Sequence, residues 1–346
     1  TAVQMIWYRV GSIDERDGVT GVAHVTEHMM FKGTPSVGPG EFNRRVAAVG
    51  GRDNAFTSTD YTAYFQQVPA TQLKTVMALE ADRMRHLTLE PTGYSKEIQV
   101  IMEERRMRTD DQSSARVHEA MNAVAWQAHP YRRPVIGWMS DLEQMTVADV
   151  RDWYRRWYVP NNATLVVVGD VNHQQVFGWA RQTYGAIPAR ALPERKQFEE
   201  PVQAGQRQLD VKAPADLPLL VMGWKVPRLN DPRKDVDPYA LEMLAQILDG
   251  HDAARLPTAL VKEQQVAVSI DTSYDSTNRG PSIFILQASP RPGHTVDQLE
   301  QAIRGALAEV ANKGVTEQEL TRARSQLRAS EVYKKDSMMG QAMEIG

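Results

Sequence analysis

His24-Val25-Thr26-Glu27-His28 is an H-x-x-E-H run inside an apolar stretch, residues 19–31, that contains no proline and is followed by Gly33. That pattern predicts a helix stopped by a glycine cap. On a helix, His24 and His28 are i,i+4 and stand one turn apart on one face. Two imidazoles so placed can grip one ion. Zn²⁺ accepts imidazole nitrogens at about 2.0–2.1 Å, and its catalytic sites keep a water beside three protein ligands, so one ligand must come from elsewhere. Glu27 lies i+3 from His24, in reach of a proton on such a water without being a ligand itself. The bland alternative is a chance grouping on a solvated helix face. Val22, Ala23, Val25, Met29, Met30 and Phe31 argue against it, because they make the helix apolar nearly all round and an unpaired glutamate among them would be costly.

Residues 3–10 before this helix are β-rich and mostly apolar, as in a strand buried on both faces. After it come a Gly/Pro loop, a short amphipathic helix over 41–49 and Gly50-Gly51. Residues 53–57 and 60–68 read as a strand pair whose first member, carrying Asn54, Ala55 and Phe56, is polar enough to be an edge. An edge strand leaves N–H and C=O groups to which a peptide can add as a further strand.

Two long helices are predicted next, over 70–87 and 94–110, with Pro91 between them. Helical geometry separates two adjacent acids in the second. Glu104 shares a face with Val100, Ile101 and Glu97, whereas Glu103 shares its face with Lys96, Gln99 and Arg106, a solvated ion-paired stripe. A carboxylate on the apolar face needs a partner and a metal cation supplies one, which makes Glu104 the candidate third ligand. Glu97 on the same face suits a supporting role, steadying a ligand or water; the alternative is an ordinary acid interacting with the helix dipole.

Composition narrows the function classes. With 40 basic and 43 acidic residues the net charge is −3, no electrostatic footprint for nucleic acid. No stretch approaches the roughly 18 apolar residues of a membrane span. There are no cysteines, so disulfides and thiolate zinc sites are excluded and a zinc ion would need His and carboxylate ligands. The other histidines stand singly at helix ends or in loops, where capping and surface roles are the ordinary expectation.

The order strand, two helices, strand pair, two long helices occurs twice, the second time over 219–334, which predicts a duplicated α+β unit. The expected fold is two homologous α/β-sandwich-like domains: 1–190 carrying the metal residues, a linker over 191–206 marked by prolines and mixed charge, and 207–346 without them. Where the first copy has its H-x-x-E-H helix, the second has Tyr239 to Leu248 with no histidine, so it is expected to enclose or bind.

These residues resemble the pitrilysin/insulysin family of inverted zinc peptidases, which includes the mitochondrial processing peptidase. The likeness rests on His24 to Thr34 (HVTEHMMFKGT), Gly50 to Thr57 (GGRDNAFT), Glu97 and Glu104 seven apart, the 76-residue gap from His28 to Glu104, Pro160 to Ala163 (PNNA) and Gly169-Asp170. It implies one Zn²⁺ per chain on His24, His28 and Glu104, Glu27 as general base, Glu97 as support, and the Asn54-Ala55-Phe56 edge as the substrate strand. It further implies a peptide or unfolded polypeptide enclosed in a chamber, a homodimer or a heterodimer with a paralogous subunit, and, for the bacterial members, the periplasm. An Arg/Tyr pair that contacts substrate from the noncatalytic half has no placed counterpart here and is expected from a partner. A leader and a C-terminal segment are expected outside this chain.

The expected function is a zinc endopeptidase. The alternative, a noncatalytic peptide-binding or scaffold subunit, would be favoured by loss of Glu27 or a ligand, and none is lost. A purely structural zinc site fits less well, because three ligands beside a base describe an open site.

Overall fold

The alternation of buried side chains along the first strand explains how the chain is layered. In the computed structural model, which describes residues 1–346, β1 (Ala2–Tyr8) is buried along its whole length. Ala2, Ile6 and Tyr8 enter one core while Val3, Met5 and Trp7 enter another on the opposite face of the sheet. A strand buried on both faces reads as a largely apolar run, as residues 3–10 do apart from Gln4 and Arg9.

From β1 the chain continues through α1 (Val22–Met29), α2 (Glu41–Ala48), β2 (Arg52–Thr57), β3 (Thr62–Val68), α3 (Leu73–His86) and α4 (Pro91–Arg105). Then come α5 (Ser113–Ala125), α6 (Met139–Gln144), α7 (Val147–Trp157), β4 (Ala163–Gly169) and α8 (His173–Thr183). The four strands form an antiparallel sheet in the order β2-β3-β1-β4, which leaves β2 at an edge. The main core lies between this sheet and α1, α3, α4 and α7; Thr146 starts α7 with a capping box to Asp149.

That core also holds a polar seam. Gln4 donates to Gln66 (2.7 Å), Gln66 to Glu80 (2.8 Å), and Arg83 grips Glu80 through Nε and Nη2. The Arg83 guanidinium lies 4.1–4.9 Å from the ring centres of Phe31, Phe42 and Tyr64. The charge is thus both paired and stacked, the condition under which a buried ion pair is tolerated.

After residues 187–219, which have no regular structure, come β5 (Leu220–Val226), α9 (Asp237–Asp249), β6 (Ala267–Ser273), β7 (Ser282–Pro290), α10 (Val296–Lys313), α11 (Glu317–Lys334) and α12 (Met338–Ile345). The second sheet has three antiparallel strands in the order β5-β7-β6. Its core is built on Met222, Leu260, Ile270, Phe284, Leu286, Leu299 and Ile303.

Chain order and spatial unit part company at two helices. One compact unit comprises 1–111, 126–202 and 334–346; the other comprises 112–125 and 203–333. The helix that follows the long pair in each half therefore belongs to the other half's unit. Ala342 of α12 is buried against the outer face of the first sheet with Val3, Met5 and Val166, and His118 of α5 bonds Gln287 of β7 (2.9 Å).

Two predicted helices end differently from expectation. The helix over 94–110 is α-helical only to Arg105 and continues as a π-turn, Arg106–Asp110, and the second helix of the repeated order over 219–334 is a π-helix, Pro257–Glu263. Hydrophobic spacing registers the turn but not which carbonyl each N–H bonds.

Candidate metal centre

The start of α1 is held from outside the helix. Gly21, its N-cap, has φ 88°, and a Cβ there would stand 2.6 Å from the Ile136 carbonyl oxygen, so both backbone and space call for glycine. No capping side chain follows it. Instead the buried Glu15 carboxylate accepts from Gly21 N–H and Ala23 N–H, each at 2.9 Å, and Asp141 accepts from the Thr20 N–H (3.0 Å) and hydroxyl (2.6 Å). Burial pushes the Glu15 carboxyl up to about 8, against the pull of the two N–H bonds.

Anchored so, α1 presents His24 and His28 to Glu104 of α4. Their Nε2 atoms lie 3.8 and 3.3 Å from Glu104 Oε2, and the three candidate ligand atoms fall within 4.8 Å of one another. The edges of a tetrahedron with bonds of about 2.0–2.1 Å are about 3.3 Å, so the His28–Glu104 separation matches such an edge while the other separations are wider, and three protein donors could hold an ion with one position open. His24 Nδ1 is buried without a hydrogen-bond partner.

Each carboxylate is steadied from behind. Glu97 Oε1 lies 3.0 Å from His28 Nδ1 and Oε2 pairs with Lys32; Glu104 Oε1 pairs with Arg108 at 2.7 Å. Glu103 is exposed and paired with Arg106. Burial works against ionisation of Glu97, yet its bonds to His28 and Lys32 hold its carboxyl below the usual range, and the bond to His28 does the same for Glu104. Burial, then the neighbouring His28, lowers His24 to about 4. For His28, burial is outweighed by Glu104 and Glu97, and the ring is pushed up to about 9.

Glu27 is buried on α1, and burial raises its carboxyl above the ordinary value. Thr57, the last residue of β2, donates its hydroxyl to Glu27 Oε2 (2.5 Å). Asn54 is exposed on β2, Ala55 and Phe56 are half-buried, and Asn54 Oδ1 accepts from the Ala55 N–H (2.9 Å).

Sequence reasoning missed Glu15, Lys32, Thr57, Arg108 and Asp141. The i,i+4 spacings of Lys32 from His28 and of Arg108 from Glu104 were visible signals. Glu15, Thr57 and Asp141 act across loops and carry no local signal.

The Insulinase (Peptidase family M16) model matches residues 1–138, and the Peptidase M16 inactive domain model matches residues 144–327. Zinc protease PqqE of Helicobacter pylori is 31% identical over 336 residues, covering 96% of this chain and 74% of that protein. An uncharacterized zinc protease of Mycobacterium leprae is 29% identical, covering 93% and 72%. The crystal structure of a protease from Helicobacter pylori superposes with a TM-score of 0.92 at 30% identity, over 98% of this chain and 81% of that one. The periplasmic protease PqqL from Escherichia coli (TM-score 0.75, 22% identity, 99% of this chain and 38% of that one) shares the fold. With both halves matched, and a relative of this identity spanning nearly its whole length, the chain belongs to peptidase family M16.

Proposed function

We propose that this chain is a zinc-dependent endopeptidase acting on peptides or unfolded polypeptides. The observation that carries the reading is the buried Glu27 carboxylate beside the convergent His24, His28 and Glu104. All four lie within the stretch matched by the insulinase model, outside the stretch matched by the inactive-domain model.

His24, His28 and Glu104 would hold one Zn²⁺, with Glu97 and Lys32 orienting His28, and Arg108 orienting Glu104. A zinc ion there supplies an acidified water and polarises the scissile carbonyl. Glu27 takes the proton of the attacking water and returns it to the leaving amide nitrogen; its raised pKa brings it closer to both tasks. The substrate docks as an added strand along the free edge of β2, where the Ala55 N–H and the exposed Asn54 amide, bonded to each other in the free chain, would both turn to the peptide.

The chamber, the second subunit that completes it and a periplasmic location belong to the same proposal. No helix is long and apolar enough to cross a membrane, and the Escherichia coli relative is described as periplasmic.

The test is hydrolysis of a quenched fluorescent unstructured peptide by chelator-stripped and zinc-reconstituted protein, with Asn54→Ala alongside. Hydrolysis restored by zinc, with KM raised several-fold in Asn54→Ala, is expected. Equal rates in stripped and reconstituted protein would contradict the zinc reading. An unchanged KM would remove β2 as the docking strand.

A further inference from the structure

Thr57 stands where strand and helix meet. It is the last residue of β2, in register with Thr62 of β3, and its hydroxyl donates to Glu27 Oε2. The Glu27 side chain makes no other hydrogen bond within the chain, so one oxygen is fixed and Oε1 is left for chemistry.

The turn that follows Thr57 is densely hydrogen-bonded. The β2–β3 turn is tied to the segment after β1 by Ser12 N–H to the Ser58 carbonyl (3.2 Å) and Ile13 N–H to the Thr59 carbonyl (2.9 Å). Ser58 N–H bonds the Tyr61 carbonyl, and the Thr62 hydroxyl bonds the Val10 carbonyl. Asp60, inside the turn, accepts the Tyr131 hydroxyl at 2.7 and 2.8 Å. A hydroxyl delivered from so constrained a turn limits where a three-bond glutamate side chain can point.

The second unit repeats the arrangement without the metal residues. Ser276, between β6 and β7, donates to Glu242 of α9 at 2.5 Å. There, with no histidine on the helix, the tie is a clamp of helix onto hairpin.

We infer that Thr57 is a positioning residue for the general base, fixing Glu27 Oε2 so that Oε1 faces the reacting water, and that it couples β2, the substrate strand, to that base. This rests on the peptidase reading above. A misplacement of a reacting group by about 1 Å can cost on the order of 100-fold in rate, so the tie is expected to act on turnover.

The experiment compares Thr57→Val, Thr57→Ser and Ser276→Ala in the full chain. Thr57→Val should lower kcat about 10–100-fold with KM within about twofold, at full zinc content, and Thr57→Ser should restore most of the loss. Ser276→Ala, which removes the same kind of tie, should leave kcat at the parent value. The cobalt-substituted protein gives a readout independent of turnover: its visible bands should shift in Thr57→Val and return in Thr57→Ser. Parent-like kcat and bands in Thr57→Val, or a loss that merely tracks zinc content or folded fraction, would overturn the inference. If the zinc-loaded parent cleaves no peptide, the peptidase reading falls, and the cobalt bands alone decide whether Thr57 places Glu27 at the metal.

Discussion

His28 Nδ1 stands 3.0 Å from Glu97 Oε1, while the opposite nitrogen of the same ring faces Glu104 at 3.3 Å, so one imidazole is oriented by a carboxylate at each end. The first carboxylate, itself paired with Lys32, fixes which nitrogen keeps the proton once the ring is neutral and leaves Nε2 for a metal.

Glu97→Ala should therefore weaken zinc binding by about 10–100-fold, and Glu97→Gln, which keeps an acceptor oxygen but loses the charge, by less. Competition against a chromophoric chelator measures both. Unchanged affinity in Glu97→Ala would mean that His28 is oriented by its packing alone.

Metal uptake should release a proton. Without metal, the two carboxylates push His28 up to about 9, so its ring is charged at neutral pH, whereas a metal ligand must be neutral. Zinc titrations at pH 7 in buffers of differing ionisation enthalpy should show about one proton released, and affinity should rise about tenfold per pH unit below 9. Uptake without proton release would contradict a charged His28.

The anchor of α1 predicts a pH dependence of stability with the opposite sense from most carboxylates. Burial raises Glu15 from 4.5 to about 8 in the folded chain, so between those values the native state binds more protons than the unfolded one. Its contribution is fully present below pH 4.5 and is lost as pH rises through 8. Glu15→Gln should remove that slope, gaining roughly 1–3 kcal/mol relative to the parent between pH 5 and 7.5 by urea unfolding. A parent-to-variant difference constant over this range would contradict it.

How much of this was legible in the sequence depends on how far each contact reaches along the chain. The common face of His24 and His28, and the choice of Glu104 over Glu103, follow from helical angles alone, and the structure brings the first three together while leaving Glu103 in solvent. The mostly apolar run of β1 marked burial on both faces. Thr57 and Glu27 lie 30 residues apart, with no spacing rule to join them, and Glu15 reaches its helix through a loop. The transfer of α5 and α12 to the opposite units was equally invisible, because amphipathic spacing shows that a helix face is buried but not which sheet covers it.

The most direct test of the central claim compares zinc-loaded parent with zinc-loaded Glu27→Gln on one fluorogenic unstructured peptide, with zinc content measured in both samples. Equal zinc, hydrolysis by the parent, and a loss of at least about 100-fold in kcat for Glu27→Gln would establish the peptidase with Glu27 as its base. Hydrolysis at the parent rate by Glu27→Gln, at equal zinc, would contradict that role.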